Sequence, residues 1–147
     1  MIMQSFSILV ICTGNSCRSQ IAEGYLKYYA KKMNINVNIF SAGINAEGVN
    51  PKAIQSMAED NIDISNHSSN TIEEYLSKDI THIITVCDHA NENCPVFLKK
   101  THSTHQNFID PSKMTGDEKT VNQAYTKCRE EIKVFTGKYL EENFLKK

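Results

Sequence analysis

Phe6-Ser7-Ile8-Leu9-Val10-Ile11, followed by Cys12-Thr13-Gly14-Asn15-Ser16-Cys17-Arg18-Ser19, decides how this chain folds. The first six residues are short-run, apolar and rich in β-branching, as suits a parallel strand buried on both faces. Beyond the polar loop, Ile21, Ala22, Tyr25, Leu26, Tyr29 and Met33 recur at helical spacing among lysines and Glu23, which predicts a helix from near Arg18. Strand, glycine-containing loop and helix make the opening of a βαβ unit.

Working outward, Asn36 to Ser41 reads as a second strand ended by Ala42-Gly43. Asn50-Pro51 supplies an N-cap and the proline favoured at the first helical position, with Ala53, Ile54, Met57 and Ala58 as the inner face of that helix. Thr71 and Glu74 offer a capping box for a short helix carrying Tyr75 and Leu76. The run from Ile80 to Val86 is the third strand and ends at Cys87; a fourth covers about Thr104 to Ile109 and ends at Asp110-Pro111, because proline cannot continue a central ladder. Val121, Ala124, Tyr125, Cys128, Ile132, Phe135 and Tyr139 step down one long terminal helix. Alternating strands and helices predict a three-layer α/β/α domain around a short parallel sheet. Ligands collect at the carboxyl ends of such strands, and Cys12, Cys87 and Asp110 all fall there.

The chain has 147 residues, which suits a single domain with one core and one site. Its net charge of -1, with both signs dispersed, gives no basic stripe for a nucleic-acid backbone. No apolar run approaches the roughly 20 residues of a membrane span, and the opening residues do not read as a secretory signal. The expectation is a cytoplasmic monomer that engages neither membrane nor nucleic acid. Five cysteines are an odd number and do not form a disulfide framework, so they suggest catalysis or redox work. Zinc is disfavoured, because the separations Cys12 to Cys17 and Cys87 to Cys94 do not give paired knuckles.

The loop from Cys12 to Arg18 carries the chemistry. Backbone N–H groups at a strand-to-helix junction, together with the helix dipole, cradle a tetrahedral oxyanion. Gly14 is expected to allow the sharp turn, Arg18 to add a bidentate fork, and Ser16 and Ser19 to donate to sulfur or cap the helix. Thr13, Gly14, Asn15, Ser16, Cys17, Arg18 and Ser19 thus form the candidate oxyanion site, with the Cys12 thiolate as nucleophile. A buried structural cysteine before an ordinary cap is the bland alternative. Cys17 and Cys128 read as packed side chains.

Cys12-x5-Arg18-Ser19 resembles the low-molecular-weight tyrosine phosphatase superfamily, and CTGNSCRSQ-x-AEG is similar to its thioredoxin-coupled arsenate reductases. The similarity extends through Ser41 to Ile44, Val49 to Ile54, Asp63 to His67 and the cysteines at 87 and 94, almost the whole chain. It implies a four-stranded parallel sheet flanked by helices. It also implies a general acid and base at Asp110, and redox cysteines at Cys87 and Cys94 that pass electrons from thioredoxin to arsenate in arsenic detoxification.

Phosphate and arsenate share a shape, so the cradle alone does not separate the chemistries. Hydrolysis needs one cysteine, water and an acid; reduction to arsenite needs a second thiol, and a third can resolve the disulfide. If residues 87 to 94 are helical when reduced, their Cα atoms lie roughly 10 Å apart at about 1.5 Å per residue. A disulfide tolerates about 7 Å, so oxidation is expected to unwind the segment. A low-molecular-weight phosphatase and a non-catalytic oxyanion or redox sensor are the alternatives. By the same resemblance Asn15, Glu23 and Ser41 match a potassium site with His67 nearby, but Asn70 stands where those enzymes have an aspartate, which removes a charge from the site. Without potassium, Asn15 and Ser41 organise the loop and Glu23 caps or faces solvent. His82, His89, His102 and His105 form no ligand spacing, and solvated or capping roles are expected.

Overall fold

In a computed structural model, residues 6–95 and 101–145 are described. Strand β1 (Phe6–Cys12) lies in the interior of a four-stranded sheet of order β2-β1-β3-β4, with β2 at Val37–Gly43, β3 at His82–Thr85 and β4 at His102–His105. All pairings are parallel. Central placement explains the unbroken apolar run: Ile8, Leu9, Val10 and Ile11 are wholly buried, with no solvent face to carry polar residues. The register sets Cys12 beside Gly43 and Ile11 beside both Ala42 and Thr85, so β1, β2 and β3 end together.

Helices α1 (Arg18–Lys32), α2 (Pro51–Glu59), α3 (Asp88–Asn93) and α4 (Glu118–Leu140) flank the sheet. Helix α1 buries Ile21, Ala22, Tyr25 and Leu26 of the predicted stripe; Tyr29 and Met33 are half-buried, and Ala30 is buried in addition. Asn50 caps α2 through its side chain, accepting from the amides of Lys52 and Ala53. Tyr25 and Lys133 both donate to Asp60, while Arg129 donates to the Ser56 carbonyl, so α1, α2 and α4 are joined by polar contacts as well as by their apolar faces. Among the described residues, no helix is long and apolar enough to cross a membrane.

Some expectations shift. The Thr71/Glu74 signal opens a 3-10 turn, Ile72–Tyr75, where the Glu74 carboxylate accepts from the Thr71 amide. Strand β4 is displaced from the expected Thr104–Ile109 to His102–His105; it is an edge strand with mostly exposed side chains, so no hydrophobic alternation marked it. Phe108 is buried beyond the strand, against Phe135 of α4. His82 is also not solvated. It is 6% exposed, packed against Phe6, stacked on His102 and covered by Phe144 of the C-terminal turn Glu141–Leu145.

Candidate active site

The loop after β1 is held from behind by backbone. The amides of Ile44, Asn45, Glu47 and Asn50 donate to the carbonyls of Cys12, Thr13, Gly14 and Ser16. A trans peptide directs its N–H opposite its C=O. The N–H groups of Thr13, Gly14, Asn15 and Cys17 therefore face away from residues 44–50. Helix α1 adds its own unpaired amides: its N-cap, Cys17, makes no side-chain cap hydrogen bond, and its first turn holds no acidic residue. This is the electrostatic character that an oxyanion cradle requires.

Asn15, not Gly14, adopts the left-handed conformation in the loop, with φ of 47°. Asparagine tolerates that region, and here its side chain locks it. Asn15 Nδ2 donates to Ser19 Oγ at 2.7 Å and Ser41 Oγ at 2.9 Å, and its Oδ1 accepts from the Asn70 amide at 2.7 Å. Glycine at 14 answers a different need, since a Cβ there would lie 2.6 Å from the Glu47 carboxylate carbon. When Cys12 is the thiolate it can only accept, so Ser19 Oγ, 2.9 Å away and itself accepting from Asn15, donates its hydroxyl proton to Cys12 Sγ. A donor is thus fixed on the sulfur.

Cys12 lines a cavity of about 510 Å³ together with Thr13, Gly14, Ser16, Cys17, Arg18, Cys87 and Asp110. Asn15 and Ser19 sit behind it, wholly buried. Arg18 Nη1 donates to the Phe108 carbonyl at 2.8 Å, and Nη2 lies 3.5 Å from Asp110 Oδ2. Asp110 Oδ1 caps the turn Pro111–Lys113 by accepting from the Ser112 amide and hydroxyl, while Oδ2 faces Arg18. Cys87 Sγ lies 3.3 Å from Thr13 Oγ1 and accepts from the Ala90 amide as the N-cap of α3. Cys94 is the C-cap of the same helix, buried and outside the cavity lining.

The family described as low molecular weight phosphotyrosine protein phosphatase matches residues 7–147. The chain belongs to this family. Among its relatives, an arsenate reductase of Staphylococcus aureus (strain N315) is 40% identical over 137 residues, spanning 93% of this chain and 98% of the relative. A solved arsenate reductase in oxidized state is 25% identical with a TM-score of 0.77, covering 92% of this chain and 97% of the other. Another, in the phosphate binding state, is 24% identical with a TM-score of 0.75 over 93% and 98% of the two chains. This chain presents its cysteine loop at the strand ends of a parallel sheet.

Cys17 and Cys128 are buried, as expected of packed cysteines. Burial and the neighbouring Cys128 push the Cys17 thiol far up, and burial raises Cys128 to about 12. Glu23 departs from expectation. Rather than facing solvent it is 8% exposed, accepting from Ser41 through Oε1 and from Lys27 through Oε2, with His67 Nε2 at 3.8 Å. The residues matched to a potassium site are therefore satisfied by one another, and the Lys27 ammonium already supplies the cation. Asn70 turns its side chain to Glu74 and Ser68. These donors do not fit a bound metal ion.

Sequence reasoning passed over Glu47, Lys113 and Asn107, which also line the cavity, and expected of His89, another lining residue, only a solvated or capping role. Lys113 follows the Asp110-Pro111 turn and could have been found from it. Glu47 reaches the site only because residues 44–50 fold back along the loop, and no local pattern announces that.

Proposed function

We propose that this chain is an arsenate reductase working through a three-cysteine relay. What carries the reading is the approach of a second thiol to the nucleophile's loop: Cys87 Sγ lies 3.3 Å from Thr13 Oγ1, and Cys87 shares the Cys12 cavity. The relatives named arsenate reductase over nearly the full chain support the same substrate.

In this mechanism the Cys12 thiolate attacks arsenate held by the loop amides and Arg18. One arsenate oxygen leaves as water, with Asp110 assisting proton transfer, and arsenic stays pentavalent. The Cys87 thiolate then attacks Cys12 sulfur. The arsenic–sulfur electron pair departs with arsenic, giving trivalent arsenite and a Cys12–Cys87 disulfide; two thiols have supplied two electrons. Cys94 next attacks Cys87 sulfur, which frees the Cys12 thiolate and forms Cys87–Cys94. A dithiol reductant of the thioredoxin class, which the resemblance implies, reduces that bridge and closes the cycle.

The ends of α3 explain why the last exchange needs motion. Cys87 and Cys94 cap opposite ends of a helix, about 10 Å apart by helical rise, whereas a disulfide tolerates about 7 Å. Phosphomonoester hydrolysis is the second reading. It is favoured by the Cys12, Arg18 and Asp110 arrangement alone, and a reductase with that cradle is expected to keep some aryl phosphatase activity.

Cys87→Ser separates the two. Multiple-turnover arsenate reduction with a thioredoxin system should vanish while aryl phosphate hydrolysis survives; arsenate turnover at an unchanged rate in that variant would refute the relay.

A further inference from the structure

Helix α3 is six residues long, and Ala90 is its single buried residue. A helix this short is marginal in isolation and needs tertiary support. The support is polar. His105, the last residue of β4, places Nε2 2.7 Å from Asp88 Oδ1 in the first turn of α3. Its Nδ1 lies 2.8 Å from Thr85 Oγ1 and 3.2 Å from the Thr85 carbonyl at the end of β3. Thr85 Oγ1 in turn reaches Asn91 Oδ1 in the second turn at 3.4 Å. Asn107 Oδ1 accepts from the Asp88 amide at 3.1 Å. Asp88, His105, Thr85 and Asn91 thus close a ring that leaves α3, crosses the ends of β4 and β3, and returns to α3.

We propose that His105 is a positioning residue for the disulfide relay, the centre of a clamp that holds α3 helical and so sets how readily Cys94 reaches Cys87. The proposal rests on the reductase reading. In the step concerned, the Cys94 thiolate attacks Cys87 sulfur of the Cys12–Cys87 disulfide and Cys12 leaves as thiolate, with no net transfer of electrons. Only the backbone between residues 87 and 94 must rearrange. His105 touches none of the reacting sulfurs and lies outside the lining of the Cys12 cavity. Its side chain is 29% exposed and that of Asp88 is 70% exposed, so solvent weakens the pair and the clamp is releasable within turnover.

The test uses the full chain with His105→Ala, Asp88→Ala and the double variant. In reduced protein, amide hydrogen exchange at residues 90–93 should rise roughly fivefold in either single variant, and the double variant should add little, because both changes open one ring. In a single turnover with arsenate and no external reductant, Cys87–Cys94 should form roughly fivefold faster in His105→Ala. Aryl phosphate hydrolysis by His105→Ala should stay within about twofold of the parent, which a general loss of structure would not allow. Unchanged exchange at residues 90–93 in His105→Ala overturns the clamp, as do fully additive effects in the double variant. Failure of the reductase reading is recognised separately, as absence of Cys87–Cys94 in the unaltered chain after arsenate.

Discussion

Ser19 Oγ sits 2.9 Å from Cys12 Sγ, held there by Asn15 Nδ2, and is the hydrogen-bond donor to that sulfur once Cys12 is a thiolate. A hydrogen bond to a charged acceptor contributes about 1.5–3 kcal/mol. Ser19→Ala should therefore slow Cys12 chemistry about 10- to 100-fold, in arsenate reduction and aryl phosphate hydrolysis alike. Parallel iodoacetamide kinetics at Cys12 check it, since loss of the donor should slow alkylation as well.

Arg18 is fixed by the Phe108 carbonyl and Asp110, a geometry suited to a planar fork and not to a point charge. Arg18→Lys keeps the charge but loses the second parallel donor. The expected outcome is a fall in kcat/KM of roughly 100- to 1000-fold for either substrate, with little change in thermal stability.

Lys27 holds Glu23 from one side and Ser41 from the other, completing the charge behind the loop without an external ion. Melting temperature and activity should be the same in potassium and sodium chloride at equal ionic strength. Lys27→Met should destabilise the chain by about 1 kcal/mol, a modest cost because Lys27 is half-exposed. A potassium-specific rise in melting temperature of the unaltered chain would contradict the internal-cation reading.

Cys17 and Cys128 are 5% and 3% exposed, and burial keeps their thiols protonated, Cys128 up to about 12. Brief alkylation of native protein near neutral pH, followed by peptide mass spectrometry, should find both unlabelled. Labelling should appear at Cys12 and Cys87 first, and at Cys17 and Cys128 only after denaturation.

Two buried histidines predict loss of stability in mild acid. Burial draws His67 below the usual imidazole range against the opposing pull of Glu23, and burial with neighbouring His102 does the same to His82. Each takes up a proton more readily in the unfolded chain than in the folded one. Their contribution is whole above about pH 6.5 and is lost as pH falls from there toward the lower folded values. Melting temperature should drop between about pH 7.5 and 5.5, and His82→Phe should reduce that drop.

Much of this was legible in local sequence because local physics set it. The β1 run, the Asn50-Pro51 cap and the stripe from Ile21 to Met33 are periodicity and capping written directly in residue types. The convergence of Cys12 and Cys87 followed from strand ends, whereas Asp110 lies beyond the end of β4 at His105 and reaches the cavity along the following loop. What escaped was tertiary. Glu23 looks like a solvent-facing helix residue until Ser41, 18 residues on, comes beside it. His82 sits in a short strand whose burial depends on Phe144, far away in sequence. Strand β4 is four polar residues at an edge, identified only by pairing with β3. Gly14 was assigned the turn that Asn15 makes, because side-chain locking of a left-handed asparagine needs partners the local sequence does not reveal.

The relay cysteines at 12, 87 and 94 are 3%, 3% and 6% exposed, and a cavity of about 510 Å³ has no room for a protein-sized electron donor. On the relay reading, oxidising equivalents must be ferried outward by the chain itself. The throughput of the enzyme would then be capped by how often six residues melt, a quantity that temperature and mild denaturant tune, and not by the intrinsic speed of sulfur exchange.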